Sequence, residues 1–126
     1  KKSKGCLLFV SSITGMEAFG APTDYSTAKT AIIALAKNMA RKLASDGVRV
    51  NVIAPGNVYF EGGSWDEKMK KDIDRVNDII KTTVPMNRFA VPKEIADSAV
   101  FLCSDRASFV TGTTLVVDGG QTVRVL

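Results

Sequence analysis

Tyr25 and Lys29 are the residues of this chain whose types and spacing could do chemistry. They stand four positions apart in an alanine-rich stretch, so on a helix the phenol and the ammonium lie side by side. A free tyrosine keeps its proton up to a pH of about 10, which is too high for proton transfer near neutrality. A nearby positive charge favours the phenolate, and a group that ionises closer to working pH is a better catalyst. The pair therefore predicts a tyrosine that acts as a general acid and base.

Ser12 stands thirteen residues before Tyr25, at the end of an apolar stretch. Its hydroxyl could hold a substrate oxygen beside the phenol. A tyrosine and a lysine at helical spacing also occur by chance, usually as a solvated pair. The secondary structure around them must therefore distinguish a catalytic pair from a chance one.

Those elements follow the order strand, loop, helix, strand. The apolar run over residues 5–12 is continuous, which is typical of a strand covered on both faces in a parallel sheet. A helix is predicted over residues 25–45 and a second strand over 48–54, ended by Pro55 and Gly56. Two such strands form a right-handed parallel crossover. Ligands bind beyond the carboxyl ends of such strands, where Ser12 and Gly56 both lie.

The second half of the chain continues this alternation. Ser64 and Glu67 have the spacing of a capping box, which predicts a helix running to about residue 82 with Ile73 on its apolar side. Pro92 suits the first turn of another helix, and residues 113–117 form a last apolar strand. The predicted fold class is therefore α/β, with three parallel strands and flanking helices.

Four motifs in this order resemble the short-chain dehydrogenase/reductase family. They are Tyr-x-x-x-Lys at 25–29, Val-Arg-Val-Asn-Val-Ile-Ala-Pro-Gly at 48–56, Phe-Leu-Cys-Ser-Asp at 101–105 and Thr-Gly-Thr-Thr-Leu-Val-Val-Asp-Gly-Gly at 111–120. The resemblance covers nearly all of the chain. It implies that residues 1–126 are the C-terminal, catalytic half of a Rossmann-type, doubly wound NAD(P)-binding domain, with a substrate lid inserted at residues 57–84.

The resemblance also implies an activity and its residues. Tyr25 would be the general acid and base, Lys29 would favour its ionised form and bind the nicotinamide ribose, and Ser12 rather than Ser11 would orient the substrate. Three residues would border the nicotinamide: Pro55, Gly56 and Val58. The implied reaction is reversible hydride transfer between NAD or NADP and a small-molecule carbonyl/alcohol pair. The family's assembly surfaces, the 25–45 helix and the last helix and strand, imply a homo-oligomer, a dimer or a tetramer.

The chain departs from the family pattern in two ways. Phe60 occupies a position where the family usually has a threonine, so a contact to the cofactor could be lost. The glycine-rich phosphate turn and the residue that selects NAD or NADP would belong to a preceding half, so we expect the 126 residues alone to bind no cofactor and to be inactive. The alternative hypothesis is a truncated, non-catalytic fragment that serves only as an assembly module. Lys29 in place of an arginine argues against a dehalogenase, and the short Tyr-x-x-x-Lys spacing argues against an enoyl reductase.

Composition excludes several other classes of protein. The chain has no histidine, which excludes a Ser-His-Asp triad and most zinc sites. Lys1, Lys2 and Lys4 supply three of the four net positive charges. The sequence has no stripe of interleaved basic and aromatic residues, the pattern that would indicate nucleic-acid binding. No apolar run approaches the roughly 20 residues that cross a bilayer. Cys6 and Cys103 lie in apolar segments and are predicted to be buried, reduced thiols of a cytoplasmic protein.

Overall fold

A computed structural model describes residues 4–125, and Lys1 and Lys2 lie outside this range. Three parallel strands form one sheet in the order β1 (Gly5–Val10), β2 (Val48–Pro55) and β3 (Thr114–Val117). The helices are α1 (Thr23–Leu43), α2 (Ser64–Lys71), α3 (Ile73–Thr83) and α4 (Pro92–Cys103). The α/β class and the three predicted strands are confirmed. Within the described residues, no helix is long and apolar enough to cross a membrane.

Helix α1 packs against the central strand through alanines. Ala36 and Ala40 are almost completely buried and lie in one cluster with Val50 and Val52 of β2. Because an alanine side chain is a single methyl group, the helix backbone can approach the sheet closely. The main core therefore lies between α1 and β2, two of the elements that carry residues of the predicted site.

Strand β1 is the open edge of the sheet. Among the described residues it pairs with β2 alone, and the side chains of Leu7 and Val10 are 41% and 53% exposed. The prediction that this strand is covered on both faces is wrong within the described residues, because none of the six residues of β1 is buried.

The boundaries around the predicted site differ slightly from the sequence prediction. Strand β1 ends at Val10, and the backbone of Ser11 and Ser12 leads into a short 3₁₀ helix, Ile13–Gly15. Helix α1 begins two residues earlier than predicted, immediately after Pro22. The shift leaves Tyr25 in the first turn of the helix.

The single helix predicted from Ser64 is in fact two helices. Gly63, not Ser64, is the N-cap residue of α2, so the capping-box prediction is wrong. The backbone of Asp72 leaves the helical region, and its side chain accepts a hydrogen bond from the Arg75 N–H at 3.0 Å. This local cap starts α3, and the break leaves Ile73 58% exposed instead of on a buried stripe.

Helices α2 and α3 enclose a second, smaller apolar cluster. Val76, Val84 and Phe89 are its buried residues. Trp65 packs on Phe89 with 4.7 Å between the ring centroids. The segment of residues 57–84 is therefore packed around apolar contacts of its own.

Candidate active site

Helix α1 and strand β1 position the predicted acid–base pair together. The Lys29 Nζ lies 5.5 Å from the centroid of the Tyr25 ring, one helical turn away. The same ammonium donates a hydrogen bond to the carbonyl oxygen of Val10, at the end of β1, at 3.1 Å. A lysine has three N–H donors, so two remain for a ligand. Tyr25 is 46% exposed, and its phenol is open to a substrate.

The two serines after β1 have different contacts. The Ser11 hydroxyl donates to the Lys29 carbonyl at 2.7 Å, and Ser11 is 3% exposed, so its role is structural. The Ser12 Oγ accepts hydrogen bonds from the N–H and the hydroxyl of Thr14, at 3.2 and 3.0 Å. Both bonds leave the hydroxyl proton of Ser12 unused. Of the two serines, Ser12 is therefore the one with a hydroxyl proton left to donate.

Gly15 brings the turn that carries Ser12 into direct contact with α1. A Cβ atom at Gly15 would lie 2.7 Å from the backbone carbonyl carbon of Lys29, closer than such atoms can approach. The Thr30 hydroxyl also donates to the Gly15 carbonyl at 2.9 Å. Only glycine permits this packing, which fixes the 3₁₀ turn relative to Lys29.

The Pro-Gly turn at the end of β2 lies against β3. The Gly56 N–H donates to the Val117 carbonyl at 2.9 Å. A Cβ atom at Gly56 would lie 2.8 Å from the Cα of Asp118. Gly56, one of the residues predicted to border a nicotinamide, thus lies where two backbone segments approach too closely for any side chain.

The chain after this turn is held by a residue that sequence reasoning missed. Gln121 is 6% exposed, and its Oε1 accepts a hydrogen bond from the Asn57 N–H at 2.9 Å. Val58 then forms a parallel bridge with Ala90. Gln121 follows a Gly-Gly pair and has no spacing relation to Asn57, so no pattern in the sequence indicates this contact.

A carboxylate in the predicted lid, also missed from the sequence, organises the loop before α2. The side chain of Asp66 accepts hydrogen bonds from Lys70 Nζ at 2.8 Å, the Gly62 N–H at 2.9 Å and the Tyr59 hydroxyl at 3.0 Å. The hydrogen bond from Lys70, followed by those from Gly62 and Tyr59, lowers the pKa of Asp66 to about 2. The same carboxylate raises the pKa of the Tyr59 phenol. The only sequence signal for this network is the four-residue spacing of Asp66 and Lys70.

Phe60 lies within this loop. Its ring covers Gly63, where a Cβ atom would lie 2.8 Å from the end of the ring, and the residue is 51% exposed. The residue that replaces the family's usual threonine therefore packs on the start of α2.

Comparison with known proteins identifies the family of the chain. A family model described as enoyl-(acyl carrier protein) reductase, a branch of the short-chain dehydrogenases/reductases, matches residues 1–122. The chain belongs to the short-chain dehydrogenase/reductase family. It is 40% identical to an uncharacterized oxidoreductase of Schizosaccharomyces pombe over 92% of this chain and 43% of that protein. It is 35% identical to dehydrogenase/reductase SDR family member 4 of Rattus norvegicus, over 99% of this chain and 43% of that protein.

Solved structures of short-chain dehydrogenases share the fold. A 4-hydroxyisoleucine dehydrogenase complexed with NADH superimposes with a TM-score of 0.82 and 31% identity, covering 96% of this chain and 48% of that one. The L-sorbose reductase of Gluconobacter frateurii, complexed with NADPH and L-sorbose, gives a TM-score of 0.87 and 28% identity, covering 97% and 49%. The chain thus spans slightly less than half the length of the relatives it matches, and these neighbours bind nicotinamide cofactors.

Proposed function

We propose that the intact protein is an NAD(P)-dependent oxidoreductase that interconverts a small-molecule carbonyl and its alcohol. The observation that carries this proposal is the pairing of Tyr25 with Lys29, whose ammonium binds the end of β1 two residues before Ser12, a serine with an unused hydroxyl proton. All three residues lie at the carboxyl end of the sheet, where α/β proteins bind ligands. The NADH and NADPH complexes of the structural neighbours support a nicotinamide cofactor without choosing between the two.

Each of the three side chains has a separate task in carbonyl reduction. A bound nicotinamide supplies the hydride that goes to the carbonyl carbon. Ser12 donates a hydrogen bond to the carbonyl oxygen and orients it beside the phenol. Tyr25 gives its phenolic proton to that oxygen, and the adjacent ammonium of Lys29 stabilises the phenolate that remains. Alcohol oxidation runs through the same groups in reverse.

The residues present fit the nicotinamide end of such a cofactor. The two unused N–H donors of Lys29 match the hydroxyls of a ribose. Pro55, Gly56 and Val58 lie at or just beyond the carboxyl end of β2, and we assign these three residues to the border of the nicotinamide ring. We further propose that residues 57–84 form the substrate lid and that the intact protein is a cytoplasmic homo-oligomer, a dimer or a tetramer.

The Tyr25→Phe variant of the intact protein tests the assignment. We expect turnover to fall by about 10²-fold or more, the usual contribution of a general acid, with cofactor affinity almost unchanged because the ring and Lys29 remain. Thr27→Ala is a matched control, since it removes an exposed hydroxyl from the same helix turn and should keep normal turnover. Wild-type activity in Tyr25→Phe would refute the acid–base role.

Enoyl reduction is a second candidate, because the matching family model carries that description. In that reaction the hydride goes to a carbon–carbon double bond conjugated to a thioester. The spacing of Tyr25 and Lys29 favours the carbonyl reaction. Turnover of an enoyl thioester, with none of a panel of ketones and secondary alcohols, would decide for the second candidate. An intact protein that assembles but turns over neither class would support the non-catalytic assembly module.

A further inference from the structure

The only two cysteines of the chain meet at the end of the sheet opposite the proposed active site. Cys6 lies near the start of β1, and Cys103 is the last residue of α4. The Cys6 thiol lies 3.6 Å from the carbonyl oxygen of Leu102, the residue bonded to Cys103. Cys6 pairs in the sheet register with Arg49, whose guanidinium binds the carbonyl oxygens of Leu102 and Ser104 on either side of Cys103. The fold thus brings close together two cysteines that are 97 positions apart in the sequence.

Both sulfur atoms are accessible from one cleft of about 810 Å³ at the amino ends of β1 and β2. Cys103 is exposed, which corrects the prediction that both thiols are buried, and Cys6 is partly buried. Burial, opposed by the charge of Arg49, raises the pKa of Cys6. Cys103 is therefore the thiol that an oxidant reaches more readily, and Cys6 is the second, partly buried thiol of the pair.

Arg49 fixes the backbone on either side of Cys103. Its guanidinium donates to the carbonyl oxygens of Leu102 at 2.7 Å, Ser104 at 3.1 Å and Val110 at 3.2 Å. These bonds satisfy carbonyl groups that the end of α4 leaves without helical partners. They also hold the backbone around Cys103 in place at the end of α4.

We propose that Cys6 and Cys103 are a reversible disulfide site that links β1 to the end of α4. With glutathione disulfide as oxidant, the Cys103 thiolate attacks one sulfur, forms a mixed disulfide and releases one glutathione thiolate. The Cys6 thiolate then attacks the Cys103 sulfur and releases the second glutathione. The two protein thiols lose two electrons and two protons, and the oxidant becomes two glutathione molecules. The bond that forms has an S–S length of about 2.05 Å. This site is independent of the proposed function.

To test this proposal, the native, intact protein is oxidised with glutathione disulfide. The remaining thiols are then blocked with iodoacetamide, and the protein is digested with trypsin. Cleavage after Lys4, Lys29, Lys93 and Arg106 places the two cysteines in peptides 5–29 and 94–106. We expect these peptides to be cross-linked, lighter by two hydrogen atoms than their sum, and to separate on reduction. The link should form about tenfold faster, or more, in the native protein than in guanidinium, because the fold holds the sulfurs together.

Cys6→Ser provides the matched control. With the second thiol removed, we expect the mixed disulfide of Cys103 with glutathione to accumulate, whereas in the wild type it should be transient. The proposal is overturned if the native wild-type protein accumulates that mixed disulfide without the 5–29 to 94–106 link. It is also overturned if the link forms no faster in the folded protein than in the unfolded one.

Discussion

Asn51 offers the sharpest test of how β2 is joined to β3. The side chain is completely buried. Its Nδ2 donates to the Val110 carbonyl at 2.8 Å, and its Oδ1 accepts the Thr113 N–H at 3.2 Å. The substitution Asn51→Asp keeps the acceptor for Thr113 and replaces the donor by an oxygen that faces the Val110 carbonyl.

The cost of this substitution should depend strongly on pH. Burial and the facing carbonyl both disfavour the carboxylate, so the pKa of the introduced group in the folded protein rises well above its unfolded value of about 3.9. Below the unfolded pKa the carboxyl group is protonated in both the folded and the unfolded protein, and in the folded protein its O–H can donate to the Val110 carbonyl. Above it, the unfolded chain loses the proton while the folded chain keeps it. The free energy of unfolding then falls by about 1.4 kcal/mol for each pH unit, up to about 4 kcal/mol at pH 7.

Urea unfolding of the intact wild-type and variant proteins between about pH 4.5 and 7.5 measures this difference. Asn38→Asp is the matched control, because Asn38 is an exposed residue of α1 whose Nδ2 donates to the Ala34 carbonyl at 2.9 Å. The control makes the same chemical change in contact with water, so its cost should be small at every pH. A constant cost for Asn51→Asp across the pH range would refute the burial argument.

Two further substitutions test the contacts around the site. Gly15→Ala places a methyl group within 2.9 Å of the backbone of Lys29; we expect urea unfolding to show a loss of about 1–3 kcal/mol and turnover to fall as Ser12 moves. Asp66→Asn removes a carboxylate whose pKa is lowered to about 2, so its stabilisation is complete above pH 4 or so and is lost as the pH falls towards 2. Acid titration followed by circular dichroism should therefore show a variant that is less stable at neutral pH and less sensitive to acid. An acid transition identical to that of the wild type would contradict the Asp66 network.

Much of the sheet and its site could be predicted from the sequence because the signals are local. The apolar run before Ser11 is continuous and the segment before Pro55 is rich in valine, and both proved to be strands that end where the motif residues begin. The spacing of Tyr25 and Lys29 is a property of one helix, so recognising α1 was enough to place the two side chains together. Ser12 could be preferred over Ser11 from the family resemblance, and the hydrogen bonds supply the physical reason.

Two of the missed features depend on contacts between distant segments. Gln121 supports Asn57 from beyond the last strand, and Cys6 meets the end of α4. Neither contact leaves a periodic trace in the chain. The break at Asp72 was missed for a different reason, since the apolar spacing of α2 and α3 continues across it. The pattern of apolar residues reports which face is buried and does not reveal a single residue that leaves the helix and caps the next one.

The geometry of the proposed acid–base pair depends on a small part of the structure. Lys29 contacts the end of β1 in two ways: its ammonium binds the Val10 carbonyl, and its own carbonyl accepts the Ser11 hydroxyl. Gly15 packs against the same stretch of backbone. These contacts lie within β1, the 3₁₀ turn and the first two turns of α1, so those elements alone are enough to orient the pair. Proton transfer and cofactor affinity should consequently respond to different mutations: changes at Gly15 or Ser11 should lower kcat, whereas the end of β2 around Gly56 should govern how the nicotinamide is held.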